Sequence, residues 1–562
     1  MRLVLRTLIL TTAALVAAVG VYTGLTLPPA PQQLAPQWPA LVAAGAYHIH
    51  SSRSDGTGTV DAIADAARRA GLAFVIITDH GDATRPPDPP TYRHGVLVID
   101  AVEINTAAGH LVALGIAASS PYPLAGEARD VIEDVHRLGG KVVLAHPDSP
   151  RQEFAWQDPG AEADGIEWLN ADAEWRDETY TRLMGAAVRS AVRPAAAVAS
   201  LFARPDRSLR RWDRDARAHA EFGVAAVDAH ARGLWESQEP RRSTWLPLPS
   251  YETMFRAVVQ AVSLNAPLTG DPAADAASVL DGLTRGRSFS VIAAYAAPAT
   301  LTFFVTTAAG PSHAGDRLPA SSERAEWNAM VPEFPAARVV LLRDGKIVAT
   351  GQGSVQHRGP LEAGVYRIEA FHPAGPAPWL ASNPIVIEAP RGDVDPPEGS
   401  GPEVLLPFTL AAADWRPEGD GLSRATISNV GTGGDAELKV GYALAPGAPA
   451  GQYISAASRE LLHDSVDRIE FTARADKPMR LSVQVRLRSG RSARWIRSVY
   501  VDPSPRRISV PLSELEPADL QTSQRPVAAP LQSMLFVVDT LNTPPATTGT
   551  FWISRLAFRK VQ

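Results

Sequence analysis

The chain has no cysteine among its 562 residues. Disulfide bonds, thiolate zinc sites and cysteine nucleophiles are therefore excluded, and any metal site must use nitrogen and oxygen ligands. An excess of positive charge is also missing, since 54 Lys and Arg face 60 Asp and Glu for a net charge of -6. General nucleic-acid binders normally carry a strong basic excess. We therefore expect no stable complex with nucleic acid.

Nothing in the composition indicates long disorder. Hydrophobic residues make up 45% of the chain and charged residues 20%, which is typical of globular proteins. The length exceeds one domain, because a single hydrophobic core stops growing near about 250 to 300 residues. We expect three folded units.

A long apolar run follows the first basic residues. Arg2 and Arg6 precede the segment 7–27, and the proline-rich "PPAPQQLAPQWP" comes after it. The run has about the 20 residues that a membrane-spanning helix needs, and basic residues before it favour a cytoplasmic N-terminus. We predict that residues 1–27 are a signal anchor, or a signal peptide cleaved near "VAA", and that residues 28–44 are a linker. The rest would be exported to a periplasmic or extracytoplasmic location, anchored to the inner membrane.

Residues 45–297 alternate short β-rich runs with helical runs. The helical pattern "TVDAIADAARRAGL" follows "AYHIH", and Gly71 is placed to end that helix. The predicted strands are apolar nearly throughout, which is typical of strands covered on both faces; they include "AFVIITDH", "VLVIDAVEI", "GHLVALGI", "KVVLAHP", "GIEWLN" and "FGVAAVDAH". This pattern predicts an α/β barrel or doubly wound sheet with mostly parallel strands.

The remainder of the sequence is β-rich. In "ARVVLLRDGKIVATG", Asp344 and Gly345 mark a hairpin turn, and we predict an Ig-like β-sandwich over residues 298–390. The proline- and glycine-rich residues 391–403 are predicted to be a linker. Alternating strands such as "RIEFTARA" predict a β jelly roll over residues 404–562.

Polar residues recur where predicted strands of residues 45–297 end. In α/β barrels and sheets this carboxyl edge carries the active site. Because side chains alternate along a strand, His48 and His50 should share one side, as should Asp228 and His230. Imidazole and carboxylate groups are ligands for zinc, manganese or iron, and the many carboxylates favour a site of several ions.

The ordered motifs H-x-H, S-D-G, T-D-H, a buried Glu, A-H-P and D-x-H closely resemble the PHP (polymerase and histidinol phosphatase) superfamily over residues 46–295. The resemblance implies a distorted TIM-like (β/α)7 barrel that binds two or three divalent ions (Mn, Zn or Fe) and hydrolyses phosphoesters. It also implies nine ligands in three groups, of which the first two share Glu103: His48, His50, Glu103 and Asp228 for one ion, Glu103, His110 and His146 for the second, and Asp55, His80 and His230 for the third.

Other residues receive supporting roles. The candidate catalytic residues are Asp55, His230 and Glu103. Asp79 and Glu167 are expected to orient ligands, or else to be simply buried and hydrogen-bonded. Three arginines in loops are Arg85, Arg93 and Arg151. Their guanidinium groups could bind phosphate, or else be solvated.

The functional expectation is an exported phosphoesterase that cleaves mono- or diesters with a metal-bridging hydroxide. Its substrate would be a phosphorylated small molecule or an oligonucleotide. Hydrolysis of carboxyl or carbamate esters at the same site is an alternative, and an inactive surface-binding protein is another. The last domain resembles galactose-binding-like jelly rolls, and this resemblance implies a carbohydrate ligand.

Overall fold

The computed structural model describes residues 2–219, 221–232, 249–389, 404–433, 436–447, 451–459, 466–487, 494–518 and 529–560. The predicted linker 391–403 lies outside these ranges. The chain divides into two compact units. The first comprises Met1–Gly81, Pro86–Ala118 and Ile132–Pro390; the second comprises Asp82–Arg85, Ser119–Val131 and Arg391–Gln562.

The α-helices of the described residues all precede residue 285. They are α1 (Arg2–Thr26), α2 (Val60–Ala70), α3 (Ala128–Arg137), α4 (Ala171–Arg176), α5 (Tyr180–Ser190), α6 (Pro194–Ala199), α7 (Asp206–Ala218), α8 (Tyr251–Ala257) and α9 (Pro272–Thr284).

The strands up to residue 297 are β1 (Gln32–Gln33), β2 (Val42–Tyr47), β3 (Phe74–Ile77), β4 (Thr91–Arg93), β5 (Val96–Asp100), β6 (Val102–Thr106), β7 (Gly109–Leu114), β8 (Lys141–Leu144), β9 (Gly165–Asn170), β10 (Phe222–Ala226), β11 (Val259–Ser263), β12 (Ser288–Val291) and β13 (Ala296–Ala297). Those from residue 302 to 388 are β14 (Thr302–Thr307), β15 (Gly310–His313), β16 (Arg317–Pro319), β17 (Ser321–Met330), β18 (Arg338–Arg343), β19 (Lys346–Gln352), β20 (Ser354–Leu361), β21 (Gly364–Phe371), β22 (Leu380–Ser382) and β23 (Ile385–Glu388).

The strands of the second unit are β24 (Val404–Pro407), β25 (Trp415–Gly419), β26 (Arg424–Val430), β27 (Glu437–Ala443), β28 (Tyr453–Ser458), β29 (Arg468–Ala475), β30 (Met479–Leu487), β31 (Arg494–Val501), β32 (Arg506–Pro511), β33 (Glu516–Pro517), β34 (Leu531–Asp539) and β35 (Thr548–Lys560).

Helix α2 shows how local sequence sets the element boundaries. The Thr59 side chain accepts a hydrogen bond from the backbone N–H of Ala62 and caps the helix start. Gly71 ends the helix with φ 75°, a left-handed conformation that glycine adopts at little cost. The helix predicted from "TVDAIADAARRAGL" is thus confirmed.

A ring of seven strands positions the site in the first unit. One sheet has the order β10-β9-β8-β7-β6, and another contains the adjacent strands β2 and β3. Two parallel bridges connect these sheets: Ile49, beyond β2, pairs with Ala229, beyond β10, and His80, beyond β3, pairs with Glu103 inside β6. The carboxyl ends of β2, β3 and β10 therefore meet around one space.

The ring departs from a strict (β/α)7 repeat. β6 and β7 form an antiparallel hairpin with no helix between them, and Gly109 begins β7 with φ 128°. The run "VLVIDAVEI", predicted as one strand, is two strands that separate at Ala101. The first half pairs with β3 and the second half pairs with β7, so the chain changes sheets there.

Residues 302–388 form β structure within the first unit. β12 of the α/β part pairs with β22, so that one sheet continues from the ring through β22 to β21 and β23. A separate sheet has the order β15-β14-β17-β20. The structure places these strands in the same compact unit as the ring, whereas the predicted boundary at residue 298 stays a prediction.

The second unit contains two antiparallel six-stranded sheets. One has the path β26-β27-β35-β29-β32 with β24 beside β35, and the other has the order β25-β28-β34-β30-β31-β33. Phe471 and Phe551 of the first sheet share a buried core with Phe536 of the second. This arrangement agrees with the predicted all-β domain.

Helix α1 is apolar and exposed. Its segment Val4–Thr26 has a mean hydropathy of 2.0 and is not buried inside the protein. The helix is long and apolar enough to cross a membrane.

Candidate metal centre

The predicted ligand pairs follow the strands of the ring rather than lying inside them. β2 ends at Tyr47 and β10 ends at Ala226, just before each pair. His48 has φ 69° and Asp228 has φ 47°, in the left-handed region that residues other than glycine rarely adopt. The regular alternation of side chains along a strand, from which the sequence predicted that each pair shares one side, therefore does not apply. The side chains converge because the backbone turns at the strand end, and such strain clusters at functional sites.

The first predicted group forms a buried cluster around two histidines. Nε2 of His48 lies 3.1 Å from Nε2 of His50. Oε2 of Glu103 lies 3.4 Å from the first of these nitrogens and 3.2 Å from the second. Oδ1 of Asp228 lies 3.5 and 3.3 Å from the same two atoms. Four donor atoms thus converge.

Glu103 is shared between the first and second groups. Its Oε2 faces the first group, while its Oε1 lies 2.7 Å from Nδ1 of His110 and 3.0 Å from Nε2 of His146. All three side chains are buried. One carboxylate therefore offers one oxygen to each group, as a bridging ligand must.

The third group is more open and includes an additional cation. Oδ2 of Asp55 lies 3.3 Å from Nε2 of His230 and 3.6 Å from Nε2 of His80. Nη2 of Arg232 lies 2.9 Å from the same oxygen. Nothing in the sequence pattern singles out Arg232. Because this guanidinium already neutralises Asp55, we expect the third group to bind a cation more weakly than the other two.

The donor set fits divalent metal ions. An ion held tetrahedrally at about 2.1 Å from nitrogen and oxygen keeps its ligand atoms about 3.4 Å apart. The distances from Nε2 of His50 to its neighbours in the first group range from 3.1 to 3.3 Å. All nine predicted ligands belong to groups of three whose donor atoms lie within 4.8 Å of one another. The structure therefore brings together every residue that the sequence assigned as a ligand.

Buried carboxylates dominate the electrostatics of the centre. Burial by itself lowers the pKa of His48, but Glu167, Asp228 and Glu103 raise it well above its ordinary value. Burial raises the pKa of Glu103, but His48 and other imidazoles bring it well below its ordinary value. The same balance lowers the pKa of Asp228. Without cations, the acids are ionised and His48 holds a proton.

Glu167 and Asn170 support two ligands from the end of β9. Oε1 of Glu167 lies 2.6 Å from Nδ1 of His48, and Oε2 accepts a hydrogen bond of 2.8 Å from the backbone N–H of His146. The amide of Asn170 donates to Glu167 at 2.8 Å and to Asp228 at 3.2 Å. Asn170 was not predicted, although an asparagine at a strand-to-helix junction is a helix-capping signal, and it does cap α4.

Asp79 acts on the loop that carries Asp55 rather than on an imidazole. Its carboxylate accepts hydrogen bonds of 2.6 Å from the hydroxyls of Ser51 and Ser54. It also accepts one of 2.7 Å from the backbone N–H of Ser51. These contacts hold the turn that places Asp55 in the third group.

Tyr251 is a further supporting residue that sequence patterns did not indicate. Its hydroxyl donates to the backbone carbonyl of His50 at 2.8 Å and accepts from the backbone N–H of Gly58 at 3.0 Å. It comes from α8, about two hundred positions along the chain, so no local motif could have revealed it.

A cavity of about 500 Å³ opens over the centre. Guanidinium groups from Arg151, Arg176 and Arg232 line it. Arg176 and Arg232 have acidic partners. The guanidinium of Arg151 has no ion pair with a described residue and lies 5.7 Å from the centroid of the Phe154 ring. Arg151 is thus placed where a negatively charged substrate would enter.

The two other predicted substrate-binding arginines lie elsewhere. Nη1 of Arg93 in β4 lies 3.7 Å from Oδ1 of Asp61, and Arg93 does not line the cavity. Arg85 is exposed and belongs to the second compact unit. Their role in substrate binding stays a prediction.

A larger cavity of about 1080 Å³ lies at the amino-terminal ends of β2 and β5, where Val42 and Val96 begin these strands. His94 and Arg68 contribute to its lining. None of the metal-binding groups found in the described residues lies there. The chemistry of the first unit is therefore expected at the opposite, carboxyl ends of the strands.

No family model matches the sequence, and no curated protein matches it. Among solved structures, the chain is similar to a two-domain protein from Bacteroides vulgatus that contains a predicted PHP-like metal-dependent phosphoesterase. The identity is 12%, the TM-score is 0.31, and the match covers 64% of this chain and 98% of that chain.

Carbohydrate-binding modules also match, at the C-terminal β domain. Two structures of a family 11 module from Clostridium thermocellum, one with a β-1,3-1,4-mixed-linked tetrasaccharide, each show 14% identity and a TM-score of 0.23. They cover 28% of this chain and 93% and 94% of their own chains. The chain is therefore similar in part to a PHP-like protein and in part to carbohydrate-binding modules, while the proposed function rests on the geometry of the centre.

Proposed function

We propose that this chain is a metal-dependent phosphoester hydrolase held at the outer face of a membrane by α1. The observation that carries the proposal is the convergence of six histidines and three carboxylates into groups whose donor atoms lie within 4.8 Å of one another. Imidazole and carboxylate groups suit zinc, manganese or iron ions. The position of Glu103 between two buried groups supports a centre of at least two ions.

We assign one ion to each buried group. The ligands of the first are His48, His50, Glu103 and Asp228, and those of the second are Glu103, His110 and His146. Bound ions supply charge that polarises phosphoryl oxygens and lowers the pKa of a water molecule. Glu167 and Asn170 keep the imidazole and carboxylate ligands oriented, as such supporting hydrogen bonds do in metal sites.

The third group is assigned to proton transfer. Nδ1 of His230 lies 2.9 Å from the carbonyl oxygen of Asp228, which leaves Nε2 directed at Asp55. This pair can hold a proton at the cavity and give it to the leaving oxygen. In the hydrolysis, a water oxygen forms a bond to phosphorus, the bond from phosphorus to the leaving oxygen breaks, and that oxygen takes the proton.

The charge of the cavity favours phosphoesters over carboxyl or carbamate esters. Arg151, Arg176 and Arg232 line the cavity. A guanidinium can bind two phosphate oxygens with parallel hydrogen bonds. Arg176 and Arg232 already have acidic partners, so a neutral ester would leave only Arg151 without one, and on this ground we expect an anionic substrate.

The decisive test compares metal content with activity. The full chain is purified with Mn²⁺ or Zn²⁺ and assayed on bis(p-nitrophenyl) phosphate, p-nitrophenyl phosphate and p-nitrophenyl acetate. We expect at least two ions per chain and hydrolysis of a phosphoester. His48→Ala and Asp228→Ala should lose metal and activity together, whereas His313→Ala, at an exposed histidine of β15, should retain both. Unchanged metal content in the first two variants would refute the proposal, and hydrolysis of the acetate alone would favour the carboxyl-ester alternative.

The membrane attachment is tested separately. We propose that α1 remains on the mature protein and spans the inner membrane, with the rest of the chain outside the cytoplasm. N-terminal sequencing of the protein from washed membranes should read from the start of the chain. A mature N-terminus beyond residue 18 would show instead that the segment is a cleaved signal peptide.

We also propose that the second unit binds carbohydrate. A cavity of about 390 Å³ on this unit is lined by polar groups that include Arg424, Asp476 and Thr550. Such groups can bond to sugar hydroxyls. Electrophoresis in gels containing mixed-linkage β-glucan should retard the protein, and Arg424→Ala should reduce the retardation; equal mobility with and without the glucan would count against this role for that polysaccharide.

A further inference from the structure

An apolar pocket lies beside the metal cavity, and the proposed hydrolysis does not use it. Helices α4, α5 and α6, inserted between β9 and β10, supply most of its wall, including Leu183, Ala187 and Val198. The pocket measures about 60 Å³. A cavity of this size has room for about four water-sized groups. Its apolar lining suits a short stretch of hydrocarbon.

The pocket is connected to the metal centre through shared walls. Trp175 and Pro249 line both the pocket and the cavity that contains the metal ligands. The guanidinium of Arg176 lies 4.5 Å from the Trp175 ring and also lines the metal cavity. A phosphoester bound at the centre can therefore extend an apolar substituent past Trp175 into the pocket.

The outer side of the same helices lies next to the predicted membrane anchor. Arg193, just before α6, donates a hydrogen bond to the carbonyl of Pro28, two residues after the end of α1. On α5, a Cβ added at Gly185 would lie 2.5 Å from the hydroxyl oxygen of Tyr22. The pocket wall is thus held at the end of α1, where a spanning helix leaves the bilayer.

Large apolar side chains are exposed on this outer side. On α5, Tyr180 is 69% exposed and Met184 is 40% exposed; Val192, which follows α5 and lines the larger cavity, is 58% exposed. Arg182 and Arg189 lie on the same helix. Apolar and basic side chains together are typical of a helix that rests in the membrane interface, and tyrosine is enriched there. Because α5 contacts α1 through Gly185 and Tyr22, we infer that a lipid surface covers these exposed side chains.

We propose that the substrate is a membrane lipid phosphoester, whose hydrocarbon chain enters between the bilayer and α5 and places its first carbons in the pocket while the phosphate reaches the metal centre. This inference rests on the proposed hydrolase function and on α1 being a membrane anchor. The reaction is the same hydrolysis: water supplies the new bond to phosphorus, and the ester oxygen leaves with a proton.

Soluble chromogenic diesters test the pocket. Methyl and butyl p-nitrophenyl phosphate both release p-nitrophenolate and differ by three methylenes on the group that remains. Burial of one methylene is worth about fourfold in binding. We expect the full chain with Mn²⁺ to show a kcat/KM at least about tenfold higher for the butyl diester. Ala187→Phe fills the pocket and should bring this ratio close to one, whereas Ala191→Phe, an exposed position at the end of α5, should keep it.

A substrate embedded in a bilayer tests whether the bound hydrocarbon belongs to a membrane lipid. Dodecyl p-nitrophenyl phosphate is incorporated into phosphatidylcholine vesicles that also contain the full-length protein. We expect turnover in the vesicles, and a double variant with Tyr180→Ser and Met184→Ser should lower the ratio of dodecyl to butyl rates at least about threefold. The matched control is a double variant with Thr181→Ser and Ala191→Ser, which changes exposed small residues near the ends of the same helix.

The outcomes separate this inference from the proposed function. Absence of hydrolysis of every phosphoester tested, p-nitrophenyl phosphate included, by the metal-loaded protein would refute the hydrolase itself. Equal kcat/KM for the methyl and butyl diesters would leave the hydrolase proposal intact and would refute binding of the alkyl group in the pocket. This outcome holds even if Ala187→Phe fails to fold. A preference for the butyl diester without turnover of the dodecyl diester in vesicles would identify the substrate as a soluble alkyl phosphoester. It would refute the proposal that the substrate is a membrane lipid.

Discussion

Oε1 of Glu167 lies 2.6 Å from Nδ1 of His48, on the side of the imidazole that faces away from the metal centre. In the metal-bound state this contact holds a proton on Nδ1 and leaves Nε2 free to coordinate. Glu167→Gln replaces a charged acceptor by a neutral amide of the same size. Loss of such a partner typically reduces metal affinity 10- to 100-fold. We expect that loss in calorimetric Zn²⁺ titrations of chelator-treated protein.

The control for this substitution is Glu162→Gln, at an exposed glutamate before β9. It should leave Zn²⁺ affinity unchanged. Equal affinities in both variants would show that Glu167 is only a buried hydrogen-bonding residue.

Metal binding should release protons. Burial lowers the pKa of His50 but neighbouring acids, with Asp228 first, raise it well above its ordinary value, and the pKa of His48 is raised in the same way. These imidazoles therefore bind protons more readily than usual, and a nitrogen must give up its proton to coordinate a metal ion. Affinity should rise with pH above about 6.5 until the raised pKa values are passed, by about tenfold per pH unit for each proton released. Calorimetry in two buffers with different ionisation enthalpies counts these protons, and an affinity that is constant from pH 6.5 to 8.5 would contradict the prediction.

Arg232 should limit the occupancy of the third group. Its Nη2 lies 2.9 Å from Oδ2 of Asp55, an oxygen that a third ion would need. Arg232→Met removes the charge and keeps an apolar side chain of similar length. We expect a third Mn²⁺ ion to bind more tightly in this variant, measured as metal per chain at increasing Mn²⁺. Arg176→Met removes another cavity charge without freeing Asp55, so an equal gain in that variant would point to general electrostatics.

A buried ion cluster should make residues 302–388 unfold together with the α/β part. Nε of Arg367 in β21 lies 2.7 Å from Oδ1 of Asp213 in α7, and only 1% of the Arg367 side chain is exposed. Arg367→Met leaves Asp213 buried without its partner, which typically costs about 3 to 5 kcal/mol. Denaturant unfolding should show this loss in one transition of the first unit. Arg324→Met, on the exposed face of β17, should change the free energy of unfolding by less than about 0.5 kcal/mol.

Much of the site could be predicted from the sequence because the ligands occupy recurrent local positions. His48 and His50 follow an apolar run, and Asp228 and His230 follow another, so residue type and strand pattern together marked the candidates. The reason for their convergence was different from the one expected. Left-handed turns at His48 and Asp228, rather than strand alternation, direct the side chains inward. Aspartate and histidine adopt such turns more often than most residues, but the residue type alone does not predict them.

The residues that were missed contact the site from distant parts of the chain. Arg232 reaches Asp55 across 177 positions, and Tyr251 reaches His50 across 201. The split of "VLVIDAVEI" into two strands is similar, because each half pairs with a different partner and the local apolar pattern is the same in both. Long-range pairing of this kind is decided by which strands become neighbours.

The sequence by itself determined the donor chemistry: without cysteine, only imidazole and carboxylate groups could gather at the strand ends, and the apolar runs fixed where those ends lie. Only the tertiary structure decided that one oxygen of Glu103 serves each buried group, that a guanidinium occupies the third, and that an apolar pocket lies between the metal centre and α1. The physical reason is that residue type sets what an atom can bind, whereas distances between remote segments are set by the packing of the whole unit.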